Sequence, residues 1–157
     1  MRLTRGENVK IYTIGFTQKS AEKFFGLLKE NNIKTLLDVR LNNASQLAGF
    51  AKGRDLGYFL KEILGATYIH DLEFAPTKEI LDNYKKKIIT WDDYEKQYNR
   101  LLDNRNVKQR VIKKYGNEFD GVCLLCSEVE ASKCHRRLAA EYIQEVINDE
   151  DIEIVHL

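Results

Sequence analysis

From Cys126 to Arg137 the chain reads Cys-Ser-Glu-Val-Glu-Ala-Ser-Lys-Cys-His-Arg-Arg. Two thiols, acids, an imidazole and two guanidiniums fall within a dozen positions, a mixture with little use in an apolar core. Cys126 is a candidate nucleophile, because an adjacent imidazole or a helix start lowers a thiol pKa. The competing explanation for Cys126 is packing, since a free cysteine also serves as a small apolar strand residue. Cys134 has the better electrostatic position, whereas Cys123 falls mid-strand and reads as core. Glu128 and His135 are candidates for proton handling, with Glu128 either a base or an orienting group. Arg136 offers a fork of donors suited to phosphate or carboxylate beside a helix N-terminus. It could equally pair with Asp38 or Glu128 in a structural network.

A metal is a further use for the same residues. Cys126, Cys134 and His135, with His70 as a fourth ligand, are zinc-type donors. The chain has neither a C-x-x-C nor an H-x-x-x-H pair, and adjacent Cys-His ligands are awkward at a helix start. The expectation is therefore no cofactor, with zinc as the weaker reading. A phosphatase-type loop is excluded, because Ser132 and Ala140 stand six positions after Cys126 and Cys134. Neither G-x-x-x-x-G-K-[ST] nor G-x-G-x-x-G occurs.

The elements that must position these residues follow from periodicity. The run Val122-Cys123-Leu124-Leu125 reads as a buried strand over 121–126, and Leu138 to Asn148 as an amphipathic helix. Cys134, His135 and Arg136 would open that helix, with Ser132 as its cap. Upstream, strands are expected over 9–15, 35–39 and 66–70, and a last one over 152–156. Ser20 caps a helix with Phe24, Phe25, Leu27 and Leu28 on its buried face, ending at Asn31-Asn32. Residues 41–54 form a long polar loop, Asp55 caps the next helix and Gly65 closes it. Residues 77–116 read as a charged helical insertion in which Thr90 caps a helix with Tyr94, Tyr98, Leu101 and Leu102 as its stripe. Tertiary order is then α/β, an open and mainly parallel sheet with helices on both faces, as a single domain over 1–157.

In such sheets ligands bind beyond the carboxyl ends of the strands. Gly15, Asp38 with Arg40, His70, and Cys126 with Glu128 all stand at those ends. Asp38 closes an apolar strand and needs a partner there. Arg40, on the same side by strand alternation, is one candidate. His70 and His156 read as edge residues, His70 also as a possible ligand contact.

Composition sets outer bounds. The chain has 157 residues, 43% of them hydrophobic and 10% aromatic, which suits a packed globule. Lysine plus arginine (25) nearly balances aspartate plus glutamate (24), which argues against a general polyanion binder. No apolar run reaches the roughly 20 residues of a membrane span, and the basic start lacks a signal-peptide core. Three cysteines without framework spacing point to reduced thiols and a cytoplasmic setting.

Leu124-Leu125-Cys126-Ser127-Glu128 followed by Cys134-His135-Arg136 resembles the signature of the domain of unknown function 488 family. Thr13-Ile14-Gly15, Asp38-Val39-Arg40 and Ile154-Val155-His156-Leu157 match it in the same order. One departure is Gln46, where the family usually carries arginine after the serine kept here as Ser45. The resemblance implies a small cytosolic α/β protein with a polar site of Asp38, Arg40, Cys126, Glu128, Cys134, His135 and Arg136, to which Ser45 is added. It implies no reaction.

Two functions are carried forward. The favoured one is an enzyme acting on a small anionic or nucleotide-like ligand, with Arg40 and Arg136 holding the anion and Cys126, Cys134, Glu128 and His135 doing the chemistry. The alternative is a non-catalytic nucleic-acid- or protein-binding module, using Lys85-Lys86-Lys87 with Tyr84, Trp91, Tyr94 and Tyr98.

Overall fold

The computed structural model describes residues 9–44, 48–116, 118–127, 131–147 and 152–157. Five strands, β1 (Lys10–Gly15), β2 (Thr35–Asp38), β3 (Thr67–His70), β4 (Val122–Cys126) and β5 (Glu153–His156), form one all-parallel sheet in the order β3-β2-β4-β1-β5. Among the described residues six helices surround it: α1 (Ala21–Glu30), α2 (Gly53–Leu64), α3 (Lys78–Lys85), α4 (Trp91–Asn104), α5 (Val107–Lys114) and α6 (His135–Ile147). The expected open α/β architecture is what the chain adopts. None of these helices is long and apolar enough to cross a membrane.

Strand alternation sorts the core into two layers. Ile11, Leu37, Val39, Val122 and Leu124 point towards α3 to α6 and meet Ile80, Tyr98, Leu102, Val111, Leu138 and Ile143. Tyr12, Ile14, Leu36, Cys123 and Leu125 point the other way, onto Phe24, Phe25 and Leu28 of α1 and Leu56 and Leu60 of α2. Strands buried on both faces carry the near-continuous apolar runs seen in the sequence. The chain leaves β1 and β2 towards α1 and α2. It leaves β4, which lies between them, towards α6. Connections that part to opposite faces open a crevice at the carboxyl end of the strand between them. That strand end is Cys126, paired with Gly15 across the β1–β4 ladder.

Helix starts follow the expected chemistry in most places. The Ser20 side chain accepts from the Lys23 N–H. Thr77 caps α3 by accepting from the Ile80 N–H. Thr90 and Asp93 form a reciprocal capping box at α4. Gly65 closes α2 in the left-handed region at φ 66°.

Two helix starts differ from expectation. Helix α2 begins at Gly53 and not after Asp55, which instead lies in the first turn, where a carboxylate also suits the helix dipole. Glycine suits that first position because space is tight: the Gly53 N–H donates to the Asn43 carbonyl at 2.8 Å, and a Cβ there would meet Asn43 Nδ2 at 2.1 Å. Helix α6 begins at His135, so Cys134 precedes it and Ser132 stands too far back to cap it. Cys134 occupies a turn whose N–H donates to the Ala131 carbonyl at 3.1 Å.

The charged insertion is fastened from beneath. Tyr98 on α4 donates its hydroxyl to the Phe74 carbonyl at 2.6 Å. Arg105 Nη1 donates to the Ala75 carbonyl at 2.6 Å, and buried Asp71 receives Arg110, Lys114 and the Tyr115 hydroxyl. Tyr98→Phe strands the buried Phe74 carbonyl, which costs about 1–3 kcal/mol. Urea unfolding is expected to show that loss, and a midpoint equal to wild type would mean that Tyr98 does not anchor α4.

Candidate functional site

The polar strand end at Asp38 is held by neighbours on every side. Asp38 Oδ1 accepts from Arg40 Nε at 2.8 Å and from the Arg40 N–H at 3.1 Å, and Oδ2 accepts from Arg40 Nη2 at 2.7 Å. The Tyr68 hydroxyl donates to Oδ2 at 2.5 Å. Asp38 is 0% and Arg40 3% exposed, so this is a buried, forked ion pair. Burial first, then the bond to Asp38 and its charge, push the Tyr68 phenol up to about 12. Arg40 also donates to the Ala51 carbonyl at 2.7 Å and lies over the Phe16 ring at 5.2 Å. The one guanidinium nitrogen it leaves over, Nη1, is buried and has no hydrogen-bond partner among the described residues.

The same stretch positions both site histidines through its backbone. His135 Nε2 donates to the Val39 carbonyl at 2.7 Å, and His70 Nε2 donates to the Arg40 carbonyl at 2.8 Å. A carbonyl can only accept, so each Nε2 carries hydrogen. In neutral His135 this leaves the Nδ1 lone pair, which faces Cys126 Sγ at 3.6 Å. Cys134 completes the group, the ligand atoms of Cys126, Cys134 and His135 lying within 4.8 Å of one another. Burial works against a charged His135 ring, but Cys126 and the Val39 carbonyl outweigh it and the pKa is raised. Burial and then the hydrogen bond to Cys126 push the Cys134 thiol well up. Burial alone does the same to Cys123, which is core as its mid-strand position implied.

Above these side chains lies a cavity of about 540 Å³. Cys126, Cys134 and His135 contribute to its lining, together with Arg40, Lys78, Lys85 and Lys133 as cations. Tyr84, Trp91 and Tyr94 add an aromatic wall. The Trp91 and Tyr94 rings stack at 4.8 Å and 15°, and Tyr84 packs against both. Lys78, Asp82, Tyr84 and Lys85 come from α3, and Trp91 and Tyr94 from α4. The insertion is thus a wall of the cavity. Sequence reasoning had picked out Lys85, Tyr84, Trp91 and Tyr94, but for a nucleic-acid surface. Lys78, Asp82, Ser127 and Lys133 were missed, and no local pattern distinguishes them from solvated residues.

The remaining candidates fall in different places. Gly15 pairs with Cys126 in the sheet without lining the cavity. His70 sits at the end of β3 on its carbonyl partner and is not part of the Cys-Cys-His group, so it is not the fourth metal ligand that the sequence suggested. His156 Nδ1 and the Thr13 hydroxyl share a hydrogen bond at 2.6 Å. Arg136 is 1% exposed and does not line the cavity, so its charge reaches the site through the protein interior, where it opposes the rise of the Cys134 thiol. Ser45, Gln46 and Glu128 lie outside the described residues.

A family model described as Domain of unknown function DUF488 matches residues 20–143. The chain belongs to that family. The matched span carries Asp38-Val39-Arg40 and the whole connection from Cys126 to Arg137, and excludes β1 and β5. No curated protein and no solved structure matches the chain.

Two measurements check this geometry in the DUF488 chain. Arg40→Met leaves Asp38 charged and dry, so urea unfolding is expected to lose about 3–5 kcal/mol, and Asp38→Leu combined with Arg40→Met to regain most of it. A single variant as stable as wild type would contradict the buried pair. Because its pKa is raised in the fold, Tyr68 contributes stability that is whole below about pH 10, the unfolded value, and is lost as pH rises through about 12. The stability gap between wild type and Tyr68→Phe is therefore expected to narrow above pH 10. A gap constant with pH would break the linkage.

Proposed function

We propose that the protein is a thiol enzyme acting on a small anionic, nucleotide-like ligand held in the cavity. The observation that carries this reading is the Cys126 Sγ to His135 Nδ1 approach of 3.6 Å, with the far ring nitrogen tied to the Val39 carbonyl. A base oriented by a third group beside a thiol is the arrangement that nucleophilic catalysis needs. His135 takes the Cys126 proton, and the thiolate attacks an electrophilic centre of the bound ligand. The imidazolium then returns the proton to the leaving group. Cys134, whose raised pKa keeps it protonated, donates its S–H to the Cys126 thiolate.

The walls suit the ligand class. Arg40, with Nη1 unspent, and Lys78, Lys85 and Lys133 attract an anionic group, while Tyr84 and Trp91 offer faces for a planar ring. Glu128, in the same connection, is assigned to proton handling from the sequence alone. Arg136 supports the thiols through its field. Three free cysteines fit a reducing compartment, and we place the protein in the cytoplasm. The binding-module alternative has less support, because Tyr94 and Tyr98, two of its four stacking candidates, are buried in the core.

Alkylation by iodoacetamide against pH, mapped by mass spectrometry on metal-free protein, tests this. Cys126 is expected to react with a midpoint below the about 8.5 of an ordinary thiol, His135→Gln to raise that midpoint, and Cys123 to stay inert. A Cys126 that is inert, or indifferent to His135→Gln, would refute the assignment.

A further inference from the structure

The nucleophile reading uses one thiol and one imidazole, and it gives the second thiol only a supporting part. The three groups together have another capacity. We propose that Cys126 Sγ, Cys134 Sγ and His135 Nδ1 bind a soft divalent cation, zinc foremost, with a fourth position open to the cavity. The proposal rests on the same site as the thiol reading and adds a control to it: a bound metal ties up Cys126, so metal and substrate compete for the thiol.

The spacing supports this assignment. With metal–sulfur bonds of about 2.3 Å and metal–nitrogen bonds of about 2.0–2.1 Å, ligand atoms in a tetrahedral zinc site stand about 3.5–3.8 Å apart. Cys126 Sγ and His135 Nδ1 stand 3.6 Å apart, and one ligand atom from each of the three residues lies within 4.8 Å of the others. Binding requires the side chains to rotate and close the remaining difference. The ring is also prepared as a metal ligand, since metal-bound histidines donate their other N–H to a carbonyl or carboxylate, as His135 does to Val39 at 2.7 Å.

Adjacency of Cys134 and His135 is no obstacle in this fold. Cys134 lies in the turn before α6 and His135 is the first helical residue, so both can converge on one point. Charge also balances. Two thiolates and a neutral imidazole cancel a dication, so the buried complex is neutral, whereas two bare buried thiolates would repel. No further His, Cys, Asp or Glu joins the group among the described residues. In this proposal the fourth position is filled by water or by an anion from the cavity that all three ligands line, where Arg40 and Lys133 favour negative charge. Three protein ligands with one open position is the pattern of reactive zinc sites.

Binding makes two metal–sulfur bonds and one metal–nitrogen bond. It releases about two protons, whichever of Cys126 and His135 holds their shared proton, because Cys134 enters as a thiol.

The test is titration of the full, chelator-treated chain with cobalt(II) alone. Expected are saturation at one equivalent, tetrahedral visible bands, a near-ultraviolet thiolate charge-transfer band and bleaching by zinc. Cys126→Ser and Cys134→Ser should each weaken binding about 10–100-fold or more, while Cys123→Ser leaves it unchanged. If a variant does not fold, proton release by the wild-type protein on adding zinc decides. About two per metal supports the site, and fewer than one overturns it. Absence of the charge-transfer band, or unchanged affinity in folded Cys126→Ser and Cys134→Ser, also overturns it. Failures of the two proposals are separable: a reactive Cys126 in metal-free protein with no cobalt spectrum removes the metal site alone, and a full cobalt spectrum with inert thiols removes the nucleophile alone.

Discussion

The buried pair of Asp38 and Arg40 is the constraint on which the site depends. A carboxylate and a guanidinium removed from water are tolerable only when each finds good partners, and Asp38 has three donors besides the Tyr68 hydroxyl. Satisfying the pair pulls together the end of β2, Tyr68 of β3, the 3-10 turn ending at Ala51 and the Phe16 ring beyond β1. The backbone between the two charged side chains is thereby held at both ends. Its carbonyls, at Val39 and Arg40, then set the orientation and tautomer of His135 and His70. A structural ion pair on one face of the sheet thus presents an imidazole to a thiol on the other face.

Topology explains why that thiol is Cys126. Strand β4 lies between β2 and β1, and its connection leaves for the opposite face from theirs. Backbone diverging on both sides clears a crevice above the strand end, which side chains from α3 and α4 then roof. The helices between β3 and β4 owe their position to the Tyr98, Arg105 and Asp71 contacts below the sheet edge. Their cationic and aromatic residues reach the thiols because of that anchoring.

The nucleophile and metal readings share one electrostatic logic. A deprotonated thiol in a buried site needs a compensating positive group, and His135, a divalent cation and the surrounding Arg40, Lys133 and Arg136 are the available kinds. Which one compensates Cys126 decides whether the thiol attacks or coordinates. Family membership leaves that choice open, because the matching family is described only as a domain of unknown function.

Much was determined by the sequence itself. Apolar runs of four to six residues between amphipathic helical stretches are short-range signals, so strand and helix order, the caps at Ser20, Thr90 and Gly65, and the polar residues at strand ends were all legible. Arg40 was legible as one candidate partner of Asp38, beside Arg136, because alternation puts i and i+2 on one side of a strand, and the structure pairs it. Only the tertiary structure decided the rest. It buried Arg136 and left it off the cavity lining, since burial depends on what α6 packs against and not on its own pattern. It set Gly53, the first residue of α2, against the side chains of Asn43 and Tyr68, which a Cβ there would meet. It also turned a charged insertion into a cavity wall. Those outcomes rest on contacts between residues far apart in the chain, and no window of local sequence encodes such distances.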